Sequence, residues 1–298
     1  MRHKTVDLDG PVHYLDFGGK GTPLLMVHGL GGSAINWMAV GPEVAKSYHA
    51  VALDLGGFGQ TPLFNRSAAI GANADLVHSF IEQVIGEPVV MMGNSMGGHI
   101  AILEAANHPS SVAALILVDP AIPGSHVSRP EPAMLGVMAA LTIPGLAEIM
   151  LDRRVRQLGP EGLVLETLGT VCADPSRVPA DVVEAHVQQM RERDKLGRQS
   201  GRAFLQASRS IGLRIADPRF WSRVAKVKAP TLVIHGSLDR LIPVAAAREL
   251  ARRRPDWTLE VLDGIGHVPM MEAPSMFMDV LNAWSPYRIA REPAAVST

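Results

Sequence analysis

The sequence predicts an α/β fold: a mostly parallel sheet with helices on both faces. Three observations carry that expectation. Apolar runs at 24–27, 50–55, 89–92 and 114–118 are nearly continuous, as in strands covered on both faces. Helix-prone segments at 36–47, 73–85 and 96–107 separate them, giving the strand–helix alternation of an α/β domain. Strand signals then return at 230–235 and 257–262, after a long stretch that has few.

Taken in order, residues 12–17 read as an edge strand, and 24–27 as the first buried one. The helix 96–107 is stopped by Pro109. From 121 to 219 the chain is rich in Arg, Leu, Met and Glu and poor in β-branched runs. There Pro123, Pro130, Pro132, Pro144, Pro160, Pro175 and Pro179 predict division into short helices. Helices are expected again at 243–253 and 274–284. The simplest organisation is one sheet domain, 1–120 and 220–289, interrupted by a helical insertion, 121–219, and followed by a loose tail, 290–298. The chain shows no internal repeat.

Composition bounds the function. Hydrophobic residues make up 47% and charged residues 19% of the 298, and 28 Lys+Arg against 29 Asp+Glu leave a net charge of -1. This excludes a disordered chain and offers no basic excess for nucleic acid. The single cysteine, Cys172, excludes an intrachain disulfide framework and suits a reducing compartment. The first ten residues lack the apolar core of a secretory signal. The most apolar stretch, 134–147, falls short of a membrane span. A cytoplasmic protein is the expectation.

The chemistry starts at Gly93-Asn94-Ser95-Met96-Gly97, a G-x-S-x-G pattern lying between an apolar run and a helix. That setting is what a nucleophile elbow requires: a tight turn that lifts a serine Oγ above the sheet. A lone serine is a weak nucleophile and needs a base and an orienting carboxylate. His267, in a Gly-rich loop after the last strand signal, is the candidate base. Asp239, directly after the preceding strand, is the candidate acid. All three follow the carboxyl ends of strands, where open α/β sheets bind ligands. Asp119 also ends a strand and is the alternative acid, whereas Asp54 reads as a structural turn residue. The loop His28-Gly-Leu-Gly-Gly32 supplies an oxyanion hole. Its assigned donors are the N–H groups of Leu30 and Met96, with the His28 side chain holding the loop. His99 reads as a packed histidine. Neither a nucleotide fingerprint nor a metal motif appears, so neither cofactor nor metal is expected.

The series HGLGGS (28–33), DLGGFGQT (54–61), GNSMGG (93–98), HGSLDRLIP (235–243) and GIGHVPMMEAP (264–274) resembles the α/β-hydrolase superfamily over about residues 10–120 and 225–285. The resemblance implies an eight-stranded sheet, makes the insertion a cap over the active site, and favours Asp239 over Asp119. Serine at the elbow, in place of aspartate, disfavours the epoxide-hydrolase and haloalkane-dehalogenase branches.

The leading expectation is a serine carboxylesterase acting on an apolar acyl ester of small or medium chain through an acyl-enzyme. The second is a carbon–carbon hydrolase of the meta-cleavage-product type, which GNSMGG resembles. Against it, Val268 follows the candidate histidine where that branch usually has Trp. Its substrate carboxylate would need an arginine such as Arg191, Arg198, Arg202 or Arg209. The third is a ligand-binding protein on the same fold. Gly29, Trp37, Met138, Leu141 and Val268 are candidate substrate-lining residues; the apolar ones serve equally well as packing.

Overall fold

The computed structural model describes residues 1–123, 145–195 and 198–284. Eight strands form one sheet: β1 Arg2–Asp7, β2 Pro11–Gly18, β3 Pro23–Val27, β4 His49–Leu53, β5 Val89–Asn94, β6 Val112–Val118, β7 Thr231–Gly236 and β8 Thr258–Leu262. Their order is β1-β2-β4-β3-β5-β6-β7-β8. β2 pairs antiparallel with both β1 and β4, and every later pairing is parallel. The expected α/β architecture is therefore present. The edge, however, is β1 rather than residues 12–17. β1 pairs along its whole length, from Arg2↔Asp16 to Asp7↔Pro11. Its Arg2, Lys4 and Asp7 suit an exposed edge and leave no apolar run to detect.

The central strands are buried on both faces, which is why they read as continuous apolar runs. On β5, Val89 and Met91 enter one hydrophobic cluster while Val90 and Met92 enter the other. The first cluster is covered by α2 (Ile70–Phe80) and α3 (Met96–Asn107). Residues 36–47 do not form the single helix expected. A 3-10 turn, Ala34–Trp37, precedes a short α1, Gly41–Val44, with Pro42 in its first turn.

Between β6 and β7 stand α4 (Leu146–Val171), α5 (Ala180–Lys195), α6 (Arg198–Ile215) and α7 (Phe220–Val224). The expected fragmentation holds at Pro160: α4 is two helical segments that meet at Gly159, whose φ 63 and ψ 177 are not helical, so the break falls directly before the proline. Pro130, Pro132, Pro144 and the tail 290–298 lie outside the described residues. After β7 come α8 (Val244–Arg253), α9 (Pro269–Glu272) and α10 (Pro274–Ala283). Cys172 is free and buried, and that burial pushes its thiol up to about 12. No helix among the described residues is long and apolar enough to cross a membrane.

Candidate active site

β5 delivers Ser95 directly to the first turn of α3. Ser95 takes φ 53 and ψ -116, a strained conformation for a residue with a side chain. The flanking glycines make the turn possible. A Cβ on Gly93 would sit 2.4 Å from Gly97 O, and one on Gly97 2.3 Å from Val27 O. Backbone bonds from Ser95 N to Val118 O and from Ala121 N to Ser95 O, each 2.9 Å, clamp the turn to the end of β6.

His267 and Asp239 come together from two loops. His267 Nδ1 lies 2.7 Å from Asp239 Oδ2, and both residues are buried. The other Asp239 oxygen accepts from Leu241 N at 2.7 Å and Ile242 N at 3.0 Å. Burial alone would raise the Asp239 carboxyl, but the contacts with His267 and the Ile242 N–H outweigh it and leave the group below its ordinary range. Asn94, beside Ser95, donates from Nδ2 to His267 O at 3.1 Å and to Val118 O at 3.2 Å. The elbow and the histidine loop are thus joined through Asn94. Among the described residues, no hydrogen bond runs directly from Ser95 Oγ to the His267 ring.

The loop after β3 closes the other side. His28 Nδ1–H donates to Gly29 O at 2.7 Å, and Nε2 accepts from Leu55 N at 3.1 Å. Those two bonds fix one tautomer, and complete burial lowers the His28 pKa. A Cβ on Gly29 would lie 3.0 Å from both Ser95 Cβ and Asn94 Oδ1, so the loop backbone passes directly against the elbow. Among the described residues, the Leu30 and Met96 amides take no part in the backbone bonds of their turns. Asp54 is structural, as expected: its carboxylate accepts from Ala34 N at 2.7 Å and Gln60 N at 2.8 Å and meets His13 Nδ1 at 2.7 Å. His99 is packed, its Nδ1–H donating to Ala121 O at 2.8 Å.

The inserted helices reach both loops. From α5, Gln189 Oε1 accepts from Ser33 Oγ at 2.6 Å, and Arg193 donates to Gly57 O at 3.2 Å. From α6, the Phe204 ring would meet a Cβ on Gly31 at 3.3 Å. The end of α4 meets the histidine loop: His267 N donates to Val171 O at 2.6 Å. Glu272, buried in α9, accepts from Gly266 N at 2.8 Å, Asp174 N at 2.9 Å and Ala173 N at 3.1 Å.

Sequence reasoning missed Glu272 and Arg193, which reach partners 98 to 136 residues away in the chain. Trp37 and Val268 sit in the second hydrophobic cluster, and Met138 and Leu141 lie outside the described residues. Among the described residues, two groups of three donor side chains converge to within 4.8 Å, His78/Glu104/His108 and Asp119/His235/Asp239, though no local motif announces either. In the first, the two imidazoles stack at 3.6 Å and His78 is bonded to Glu104. The second adjoins His267.

Comparison with known proteins is consistent with this geometry. The sequence model of the Alpha/beta hydrolase family matches residues 24–280. A 2-hydroxy-6-oxononadienedioate/2-hydroxy-6-oxononatrienedioate hydrolase of Pseudomonas putida is 26% identical over 275 residues, 88% of this chain and 86% of its own. A bacterial membrane phospholipase A is 28% identical with a TM-score of 0.72, covering 98% of this chain and 87% of its own. A thermophilic esterase from Thermogutta terrifontis is 24% identical with a TM-score of 0.72, covering 98% of this chain and all of its own.

Proposed function

The chain belongs to the alpha/beta hydrolase family, and from that premise we propose that it is a serine hydrolase cleaving carboxylic esters of small or medium acyl chains. The observation that carries the reading is the buried His267–Asp239 pair at 2.7 Å, tied through Asn94 to a strained Ser95. Ser95 Oγ attacks the ester carbonyl while His267 Nε2 takes its proton. Asp239 holds Nδ1–H and stabilises the imidazolium. The amides of Leu30 and Met96 bind the oxyanion, the second assisted by the N-terminus of α3. The imidazolium then protonates the leaving alcohol, and a water activated by His267 releases the acid from Ser95. The helices of the insertion form the cap and set the acyl pocket, with Gly29 beside the reacting carbonyl.

A second reading has one observation in its favour. The Pseudomonas putida relative acts, by its name, on a dioate. Arg193 of α5 is a largely buried guanidinium that donates to the Gly57 carbonyl and lies 5.8 Å from the Phe58 ring; the Asp54 carboxylate acts on it through space, and among the described residues no ion pair holds it. It fits a substrate carboxylate. Two of the arginines expected from sequence, by contrast, face glutamates: Arg191 meets Glu184 at 3.8 Å and Arg209 meets Glu148 at 3.5 Å. A parallel panel decides: p-nitrophenyl esters of graded length beside a dienol ketone dioate. Ester hydrolysis dominating supports the first reading, and dominant dienol cleavage replaces it with the second. Saturable binding without turnover of either points to a ligand-binding protein.

A further inference from the structure

We propose that Asp119 is a positioning residue: a neutral carboxylic acid that donates its O–H to Asp239 and thereby sets the charge Asp239 presents to His267. The inference rests on the reading of His267 and Asp239 as base and orienting acid.

Asp119 directly follows β6, and its backbone takes φ 44, left-handed for a non-glycine residue. Its amide donates to Ile234 O at 2.9 Å, and its Oδ1 accepts from Gly236 N at 2.9 Å. The other oxygen, Oδ2, is buried and has no donor. His235, from β7, and Asp239, from the loop after it, bring their ligand atoms within 4.8 Å of the Asp119 carboxyl. Neither aspartate side chain has exposed surface.

Among the described residues, no fixed cation balances two charges here. His235 Nε2 lies 3.6 Å from Asp119 and 3.5 Å from Asp239, but its hydrogen bond goes to Ile242 O at 2.9 Å. Burial lowers its pKa, so it sits there uncharged. From the loop after β8, His267 is committed to Asp239. α9 adds another carboxylate, Glu272, and on α3 the His99 ring is bonded to Ala121 O. Two carboxylates sharing such a site cannot both ionise.

Which one keeps the proton follows from the donors around each. Among the described residues, Asp239 accepts from His267, Leu241 and Ile242, whereas Asp119 accepts from Gly236 alone. The charge therefore rests on Asp239 and the proton on Asp119. Burial first, and then the Asp239 charge, push the Asp119 carboxyl well above the ordinary carboxylate range. Oδ2, the oxygen without a donor, carries the hydrogen, and Asp239 is the acceptor beside it. An O–H directed at Asp239 draws charge from the carboxylate that supports the His267 imidazolium, and so tempers the basicity of His267.

Infrared difference spectra of the parent minus Asp119→Asn at pH 8 test the protonation state without any substrate. The account expects loss of one neutral carboxylic-acid carbonyl band; absence of that band overturns it. The pH profile of kcat/KM for p-nitrophenyl butyrate tests the coupling. Asp119→Ala removes the donor and moves the acidic limb up by about one pH unit. Asp119→Asn, which tolerates positive φ and offers an N–H in place of the O–H, restores the limb. A downward shift in both variants means that Asp119 was ionised, and an unmoved limb in Asp119→Ala means that it only packs; either result refutes the proposal. Should Asp119→Ala not fold, the infrared band and the Asp119→Asn limb decide. A parent without esterase activity would refute the proposed function, while the infrared result still judges Asp119.

Discussion

Glu272 joins the inserted helices to the histidine loop, and Glu272→Gln tests that role. The carboxylate accepts three backbone N–H groups: Gly266 on the histidine loop, and Ala173 and Asp174 just past α4. A glutamine keeps one acceptor oxygen and turns the other position into a donor facing an N–H. One or two charge-assisted bonds are lost, each worth about 1.5–3 kcal/mol. The expected loss is about 2–4 kcal/mol, or roughly 3–6 °C in Tm for a chain of this size. Because His267 N is bonded to Val171 O in the same junction, the base also shifts, and kcat for ester hydrolysis falls by about tenfold or more. Differential scanning calorimetry and steady-state kinetics read the two effects. A variant within about 1 °C of the parent and with unchanged kcat would refute the idea that Glu272 holds the junction.

The remaining predictions are briefer. Asp239→Asn leaves the fold intact and lowers kcat by about 10⁴-fold, through the wrong His267 tautomer; a loss of that size in Asp119→Asn instead would move the orienting acid to β6. Gly266→Ala places a Cβ 2.5 Å from Val171 O and 2.6 Å from Ala173 N and should cost most of the soluble yield. Gly169→Ala, in α4 with nothing within 4 Å, should instead gain about 0.5–1 kcal/mol in a urea titration. His99 is held uncharged, its pKa lowered to about 4 chiefly by burial, against 6.5 in the unfolded chain. The unfolded state takes up that proton first, so stability falls as pH drops from 6.5 towards 4, by about 3 kcal/mol from this residue. His99→Gln, which retains a donor for Ala121 O, should lose less Tm than the parent between pH 7.5 and pH 4.5; an identical loss would contradict the assignment.

What could be read from the sequence follows from how far apart the cooperating residues lie. Strands β3 to β7 were legible because burial on both faces forces a continuous apolar run. Ser95 was legible because a strand, a tight turn and a helix are all local. β1 was not, since a polar edge strand carries no such run. The helices between β6 and β7 were visible as strand-poor sequence, and so was the break at Pro160, because a proline cannot continue a helix and Gly159 leaves helical geometry there. Glu272 and Arg193 were invisible for a plainer reason: the contacts that tie them to another part of the chain lie 99 and 136 residues away. Asp119 and Asp239 both end strands, so position alone did not separate them; the resemblance favoured Asp239, and the 2.7 Å contact with His267 agrees with that preference.

Ser95 as an activated nucleophile is the point on which the rest depends, and covalent labelling tests it most directly. An alkyl fluorophosphonate should add one adduct per chain, and peptide mass spectrometry should place it on Ser95. The adduct should vanish in Ser95→Ala and form far more slowly in His267→Ala. Ester hydrolysis that persists in Ser95→Ala, or an adduct on another residue, would contradict the account.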